Sequence, residues 1–314
     1  MSEELAQLYA DIEGRPTRFR PPFKSIFFCG GEMLEPDVRG PAKSLRDYLC
    51  RTRSLKLKAK IVFAESANKL YRDTNYDDLI SFEEDIARIA SLVLVISESP
   101  GSLAELGAFS MNDTIRPSLR VISQTKYEES ESFVRFGPIQ KVMDEDEDFV
   151  AFYPWTTNGQ GRFVRRSATP HYKEIKSFIS ANVDAVPASR QFHLEYEVRK
   201  FFVVYWTLYL AYAASINVML TAVRRIYADM TLSDLRDVLF CLKVVGWIDR
   251  QKYSNKEYYF ALGNGDPLEY RFSGDLVDKD ILGRRLRVRE DFEGAEKLPV
   301  HIKKVVAERR AKSK

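Results

Sequence analysis

The stretch that decides the fold, LVLVISESPGSLAELGAF, occupies residues 92–109. Its apolar run, Leu92–Ile96, is rich in β-branched side chains, which is typical of a strand buried on both faces in a parallel sheet. A turn follows, and we expect Ser102 to begin a helix with Leu106 and Phe109 on one side. A strand, a small-residue loop and a helix N-terminus form the ligand-binding edge of open α/β sheets, where amides favour a phosphate or carboxylate.

Glu105 has two interpretations in this helix. Ser102 and Glu105 have the spacing of a capping box, in which the Glu side chain reaches back to the helix start. Alternatively, Glu105 lies in the first helical turn near the crevice and acts on a substrate. The roles compete, because a Glu bonded to the Ser102 amide has less freedom to attack. Spacing alone favours the cap.

Strands and helices alternate along the first half of the chain. The predicted strands are 25–29, 59–64, 92–96, 119–123 and 149–153, and the predicted helices are 42–52, 76–90, 102–109 and 172–181. This alternation predicts an α/β fold with a doubly wound parallel sheet. The linker-like composition of residues 184–190 places a boundary between two domains, 1–187 and 188–314.

Further polar or flexible residues follow the predicted strands. Gly30 and Gly31 would let the backbone approach a ligand, although most Gly-Gly pairs are only turns. Glu65 follows the second strand, where such sheets place functional side chains. Glu83 lies in the predicted helix 76–90, in which Ile80 is among the residues expected to point inward. The ordinary alternatives are an exposed strand end for Glu65 and a solvated acidic face for Glu83.

The second half of the chain has a different pattern. Residues 201–220 carry no charge and are long enough to span a membrane, but their Tyr, Thr, Ser and Asn content favours a pair of buried helices instead. Residues 231–245 form an amphipathic pattern that ends at Gly246. A hairpin pattern follows over residues 247–262. We expect the tail, 284–314, to be a frayed charged helix.

Helices followed by a hairpin resemble a winged-helix module, so the C-terminal domain is predicted to be mostly α and winged-helix-like. Its cations Lys243, Arg250, Lys252 and Lys256 would contact nucleic-acid phosphates. The alternative is a module that contacts only protein, since this basic density is ordinary.

The net charge and the numbers of cysteines and histidines limit the functions that the chain can have. The net charge of the 314 residues is only +3, so nucleic-acid binding must come from a local patch. Cys29, Cys50 and Cys241 have neither a disulfide nor a zinc spacing, and the histidines are scattered, so no metal site is expected. The N-terminus lacks the pattern of a signal peptide, which favours the cytoplasm.

The segment SESPGSLAELGAF resembles the active-site segment of nucleoside 2-deoxyribosyltransferases. It is more similar still to the deoxyribosyltransferase-like effector proteins of type II-A bacterial retrons, in which an ESPGS loop precedes an ELGAFS helix. These motifs stand at 98–102 and 105–110, and FFCGG at 27–31 and FGP at 136–138 also agree. The resemblance implies a nucleoside deoxyribosyltransferase-like sheet domain in which Glu105 attacks an anomeric carbon.

The same resemblance implies a substrate site. Glu65 and Glu83 would contact the substrate there. Amides and hydroxyls of Gly30, Gly31, Ser99, Gly101 and Ser102 would face a 5′-phosphate or diphosphate.

By resemblance, the chain is expected to be the toxin of an antiphage system that cleaves N-glycosidic bonds of a nucleotide. NAD+ is favoured as substrate rather than cofactor, and no cofactor is expected. The expected partners are the retron reverse transcriptase and its branched RNA–DNA hybrid (msDNA), in a higher-order oligomer and without a membrane. Two alternatives stay open: a transferase that moves deoxyribose between bases, and a non-enzymatic DNA-binding regulator that senses a nucleotide.

Overall fold

The computed structural model describes residues 3–35, 37–51, 55–64 and 74–312. They divide into two compact units. The sheet unit comprises the described parts of 24–69 and 78–186, and the C-terminal unit those of 1–23, 70–77 and 187–314. The predicted boundaries, 1–187 and 188–314, differ in the placement of the first 23 residues. These residues belong to the C-terminal unit because the strand β1 (Arg18–Phe19) pairs there with residues 190–191 and 268–269.

A five-stranded sheet forms the centre of the sheet unit, and all its strand pairs are parallel. Its order is β3-β2-β4-β5-β6. Its strands are β2 (Ser25–Cys29), β3 (Lys60–Phe63), β4 (Leu92–Ile96), β5 (Leu119–Gln124) and β6 (Val150–Tyr153). Every residue of β2, β4 and β5 is buried, as continuous apolar runs predict. From β2 the chain adds β3 on one side of the sheet, and from β4 it adds β5 and β6 on the other side. The strand order therefore reverses between β2 and β4, which is the switch point of the sheet.

Helices cover both faces of this sheet. Ile26 and Phe28 pack in one core cluster with residues 45–49 and 175–183, whereas Phe27 on the other face contacts Phe109 at a ring separation of 6.2 Å. The helices of the unit are α2 (Leu45–Arg51), α3 (Leu79–Ile89), α4 (Pro100–Met111), α5 (Gln140–Met143), α6 (Arg165–Ala168) and α7 (Tyr172–Ala185). They follow α1 (Glu3–Ile12), which belongs to the C-terminal unit. A π-helical turn spans Arg135–Ile139 and short 3-10 turns span Arg116–Ser118, Thr125–Tyr127 and Glu147–Phe149.

The core-facing side of α3 differs from the expectation. Ile80 was predicted to point inward but is 62% exposed, and Phe82 is buried instead. The cause is the helix start: Asp78 accepts a hydrogen bond from the Ser81 amide and caps the helix, so Ile80 falls on the outer side of its first turn.

Two small antiparallel sheets and a group of helices form the C-terminal unit. One sheet has the order β8-β10-β9 and the other β11-β1-β7. The strands are β7 (Arg190–Gln191), β8 (Ala214–Ser215), β9 (Ile248–Tyr253), β10 (Lys256–Ala261) and β11 (Leu268–Glu269). The helices are α8 (Tyr196–Ala211), α9 (Ile216–Val223), α10 (Leu232–Val244), α11 (Ile281–Ala295) and α12 (Val300–Lys312).

The uncharged stretch 201–220 lies in the predicted pair of helices, of which α8 is buried and α9 is only partly buried. Every residue of α8 from Phe201 onward is buried, and the chain breaks at Tyr212, which has a φ of +68°. In the described ranges, no helix combines the length and the apolar character needed to cross a bilayer.

The predicted helix and hairpin that follow are also confirmed. Thr231 caps α10 by accepting a bond from the Asp234 amide, and Gly246 ends it with a φ of +80°. β9 and β10 form a regular hairpin with Ser254 at its turn.

The expectation of a frayed tail is wrong. Its helices pack into the C-terminal unit through a sparse apolar stripe that includes Val288, Phe292 and Ile302. Arg284 is only 2% exposed and forms ion pairs with Glu4 and Asp11 of α1. The charges of the tail are thus partly neutralised by acids far away in the sequence.

Candidate active site

Helix α4 begins earlier than expected. Ser99 is its N-cap and Pro100 its first residue, a position that suits proline because the helix needs no amide donor there. The Ser99 hydroxyl accepts the Ser102 amide at 3.1 Å, and the Ser102 hydroxyl accepts the Ser99 amide at 3.0 Å. The predicted capping box of Ser102 and Glu105 is therefore wrong. Glu105 lies in the second turn, not the first, and has no capping role.

The carboxyl group of Glu105 is partly buried and incompletely bonded. Its Oε2 is buried and has no hydrogen-bond partner among the described residues. Burial raises the pKa of Glu105, while the Arg46 guanidinium and the Cys29 thiol beside it partly lower it. Cys29 is the last residue of β2, so the helix α4 brings Glu105 to the carboxyl end of that strand.

Arg46, which the sequence interpretation missed, supplies the positive charge of this cluster. It is fully buried and donates to the carbonyl of Gly31 at 2.6 and 3.1 Å and to that of Phe28 at 2.8 Å. Burial lowers the pKa of Arg46, and the charge of Glu105 is among the groups that raise it. Arg46 lies in the first turn of α2, where the helix dipole opposes a cation, but the predicted helix began at residue 42 and the sequence therefore gave no such signal.

Glu98 is the second missed residue. Its carboxylate accepts the backbone amides of Gly31 at 3.0 Å, Leu45 at 2.6 Å and Arg46 at 3.0 Å. Burial raises the pKa of Glu98, and these amides partly lower it. The Gly31 amide, predicted to face a substrate phosphate, is thus occupied by a carboxylate of the protein itself.

Gly30 and Gly31 are required by internal packing. A Cβ on Gly31 would lie 2.6 Å from the Cβ of Ser44, and one on Gly30 would lie 3.0 Å from the Cδ of Arg46. The close approach predicted at Gly30 and Gly31 is therefore made by Arg46 of α2 and by Ser44, which precedes that helix.

The loop residues before Glu105 divide into two groups. The Ser99 hydroxyl donates to the Gly30 carbonyl at 3.2 Å, and Ser102 is fully buried, so both side chains serve the internal structure of the loop. Gly101, in contrast, is exposed at the first turn of α4. A Cβ at Gly101 would meet only the Ser99 hydroxyl, at 4.0 Å.

Glu83 joins the same cluster from α3. It is only 6% exposed, and its charge and that of Glu105 both act on Cys29. Burial, followed by these two carboxylates, raises the pKa of Cys29 well above its ordinary value, so its thiol stays neutral. Glu65 lies outside the described residues.

This cluster, formed by Cys29, Arg46, Glu83, Glu98 and Glu105, lies at the carboxyl ends of β2 and β4. The two strands form the switch point of the sheet, where open α/β sheets bind their ligands. Within the described ranges, no three His, Cys, Asp or Glu side chains are placed to hold a metal ion.

The predicted nucleic-acid contacts are distributed over α10 and the hairpin. Arg250 pairs with Glu257 at 3.0 Å, and Lys256 pairs with Glu296 at 3.1 Å. Lys243 and Lys252 are exposed and form no ion pair in the part of the chain that the structure describes. Of the four cations, Lys243 and Arg250 line one cleft of about 350 Å³.

Comparison with known proteins gives three findings. The family described as STM3845 retron effector protein matches residues 42–250. The Escherichia coli "Retron Ec86 putative ribosyltransferase/DNA-binding protein" is 30% identical over 117 residues, which cover 37% of this chain and 36% of that protein. The "Retron Ec73 putative ribosyltransferase/DNA-binding protein" of Escherichia coli is 29% identical over 89 residues, 28% of each chain.

The chain spans about a third of the length of the curated relatives it matches. The family match is much wider: residues 42–250 run from the start of α2 through α4 and α10 into the hairpin. It includes Arg46, Glu83, Glu98 and Glu105 of the cluster. Because this match covers about two thirds of the sequence, the chain belongs to the STM3845 retron effector protein family.

Proposed function

We propose that this retron effector cleaves the N-glycosidic bond of a nucleotide and that Glu105 acts on the anomeric carbon. The observation that carries the proposal is the partly buried Glu105 carboxyl, with one unbonded oxygen, at the switch point of the sheet. Such a carboxylate can stabilise an oxocarbenium-like transition state or form a covalent glycosyl intermediate. The names of the two relatives, which include ribosyltransferase, support glycosyl transfer as the reaction class.

The neighbours of Glu105 suggest how its charge is maintained. Arg46 is held by main-chain carbonyls, so its guanidinium is fixed near Glu105, where it partly lowers the pKa of that carboxyl group. In our proposal Arg46 keeps Glu105 ionised, and Glu83 contacts the sugar. The substrate phosphate binds near the Gly101 amide at the exposed start of α4, because Glu98 already occupies the Gly31 amide.

The sequence resemblance favours NAD+ as the substrate, with water as the acceptor. In a hydrolase, water releases the ribosyl group from the site, whereas in a transferase a second base takes it. Both reactions use the same carboxylate, so the acceptor must be determined from the products.

For the C-terminal unit we propose a winged-helix role in partner binding. Three helices, α8, α9 and α10, precede the hairpin, and β8 joins its β10 edge, which is the element order of a winged helix. The exposed Lys243 and Lys252 would contact phosphates of the msDNA, and its reverse transcriptase complex would restrain the toxin in a cytoplasmic oligomer.

Product analysis tests the reaction. The purified chain is incubated with NAD+ and a panel of nucleotides, with and without an added free base, and the products are separated by liquid chromatography and mass spectrometry. Base release that does not need the added base supports the hydrolase, and exchange into the added base supports the transferase. A folded protein that cleaves no member of the panel, even after separation from its partners, would contradict the proposed activity.

A further inference from the structure

A second cleft lies within the C-terminal unit, apart from the Glu105 cluster. It has a volume of about 840 Å³ and is lined by α1 and by residues near the start of α8 and the end of α9. Three tyrosines line it: Tyr9, Tyr196 and Tyr227. The rings of Tyr196 and Tyr227 are 5.1 Å apart at 85°, and those of Tyr9 and Tyr227 are 6.3 Å apart at 69°.

A group of polar side chains is buried beneath this cleft. The hydroxyls of Tyr9 and Tyr227 interact with each other, and Arg199 interacts with the Tyr227 hydroxyl. Tyr9 is only 6% exposed. These buried contacts hold the tyrosine rings in place, so the ligand-facing groups of the cleft are the exposed ring of Tyr196 and the charged side chains.

The charged side chains that line the cleft can also contact a ligand. Neither Arg199 nor Arg225 forms an ion pair in the described ranges, and Arg225 is exposed. Two carboxylates, Glu3 and Glu13, line the same cleft. A ligand that uses all of these groups needs an anion, a flat apolar face and hydrogen-bond donors.

We propose that this cleft binds a nucleoside 5′-monophosphate group, with its base against Tyr196 and its phosphate on Arg199 and Arg225. Tyr196 is 43% exposed and is braced by Tyr227, so its free face can stack on a base of any identity. Arginines bind phosphate through paired hydrogen bonds. The amino group of a base could donate to Glu3 or Glu13.

Other ligand classes fit the cleft less well. An amine would leave both arginines without an anion, and a bare phosphate would leave the tyrosine faces uncovered. An apolar ligand would use none of the charged side chains that line the cleft. The monophosphate group could come from a free nucleotide or from the phosphorylated end of a single strand, and the site does not depend on Glu105.

Photoaffinity labelling tests this site directly. The probe is 8-azidoadenosine 5′-monophosphate, and the protein is the full chain with Glu105→Gln, so that the proposed activity does not consume the probe. We expect adducts in the peptides that contain Tyr196 or Tyr227. Adducts confined to peptides of the sheet unit would overturn the proposal.

Matched variants test the recognition. Arg225→Ala should lower the labelling about ten-fold, the loss of one charge-assisted phosphate contact, whereas Lys303→Ala removes a charge from an exposed position of α12 and should change nothing. Tyr196→Phe should keep the labelling and Tyr196→Ala should reduce it, because stacking needs the ring and not the hydroxyl. Equal labelling of Arg225→Ala and Lys303→Ala would overturn the phosphate assignment.

Competition identifies the source of the nucleotide. Unlabelled AMP and a short 5′-phosphorylated thymidine oligonucleotide are each added before irradiation. Stronger protection by AMP assigns the cleft to a free nucleotide, and stronger protection by the oligonucleotide assigns it to a strand end. Protection by neither would show that the labelling is not site-specific and would contradict the proposal.

Discussion

Glu105 is a charged residue in a place that disfavours its charge. Burial raises its pKa despite the nearby Arg46 guanidinium. The folded state therefore binds the Glu105 proton more tightly than the unfolded state does. It follows that ionisation of Glu105 reduces stability, and that this loss is recovered as the pH falls through the raised pKa.

From this linkage we expect Glu105→Gln to be at least as stable as the parent protein at about pH 7, because it removes a desolvated charge. The difference should shrink as the pH falls through the raised pKa of Glu105, because the parent side chain then becomes protonated and resembles Gln. Urea unfolding over a series of pH values from neutral downwards measures this. Glu84→Gln, on the same face of the sheet but paired with Arg88, is the control. A Gln variant that is less stable near neutral pH would show that Arg46 stabilises the charge by more than burial costs.

Glu98 has a structural role at the same scale. Three backbone amides donate to its carboxylate. Glu98→Ala should lower the free energy of unfolding by about 1–3 kcal/mol, since partly buried amides lose their acceptor. Chemical denaturation checks this, with Glu32→Ala as the control, because Glu32 is exposed and pairs with the surface residue Lys43. Equal, small losses in both variants would contradict the role of Glu98.

At the scale of elements, the hairpin and α10 provide the test of nucleic-acid contact. Lys243 and Lys252 are exposed and unpaired in the described structure, whereas Arg250 and Lys256 already pair with acids. Replacing Lys243 and Lys252 together by Ala should therefore weaken binding to the msDNA complex. It should also make the slope of the logarithm of the binding constant against the logarithm of the salt concentration shallower by about 2, because about two phosphate contacts are lost.

The control for the salt dependence is a lysine of the other unit. Lys173→Ala removes an exposed charge from α7 in the sheet unit and should leave the slope unchanged. If the double variant also keeps the parent slope while its affinity falls, the surface of α10 and the hairpin contacts protein rather than phosphate.

The elements also show what the sequence could predict. β2 and β4 were located to the residue, because continuous apolar runs end at Gly30 and Ser97. The start of α4 was misplaced because Ser99 and Ser102 are both good N-caps, and only the position of Pro100 decides between them. The predicted bounds of the hairpin were nearly correct because alternating residues flank a short polar turn.

Residues whose partners are distant main-chain groups could not be predicted in this way. Arg46 is held by carbonyls of Phe28 and Gly31, and Glu98 by amides of another segment, so neither role follows from any local pattern. Glu105 was identified through resemblance, whereas local spacing alone gave it a capping role that the structure contradicts. The substrate roles of Glu83 and Gly101 stay predictions.

At the scale of the whole molecule, the N-terminal segment belongs to the same compact unit as the C-terminal part of the chain. α1 is fixed there by Arg284, which is 2% exposed and bonds Glu4 and Asp11. We expect Arg284→Met to destabilise that unit by about 3 kcal/mol, because two partly buried carboxylates lose their partner. Thermal or urea unfolding measures it.

Arg287→Met is the matched control for this ion pair. Arg287 also bonds Glu4, but its side chain is 46% exposed, so its loss should cost much less than the loss of Arg284. A similar cost for both variants would show that α1 does not depend on the buried pairs.

The central claim for the molecule is that Glu105 performs the chemistry, and one measurement tests it most directly. The rate of base release from the substrate found by product analysis is compared among the parent protein, Glu105→Gln and Glu84→Gln, after each is shown to be folded. We predict that Glu105→Gln loses about a thousand-fold or more of the activity, while Glu84→Gln keeps the parent rate. A folded Glu105→Gln protein that releases base at the parent rate would contradict the claim.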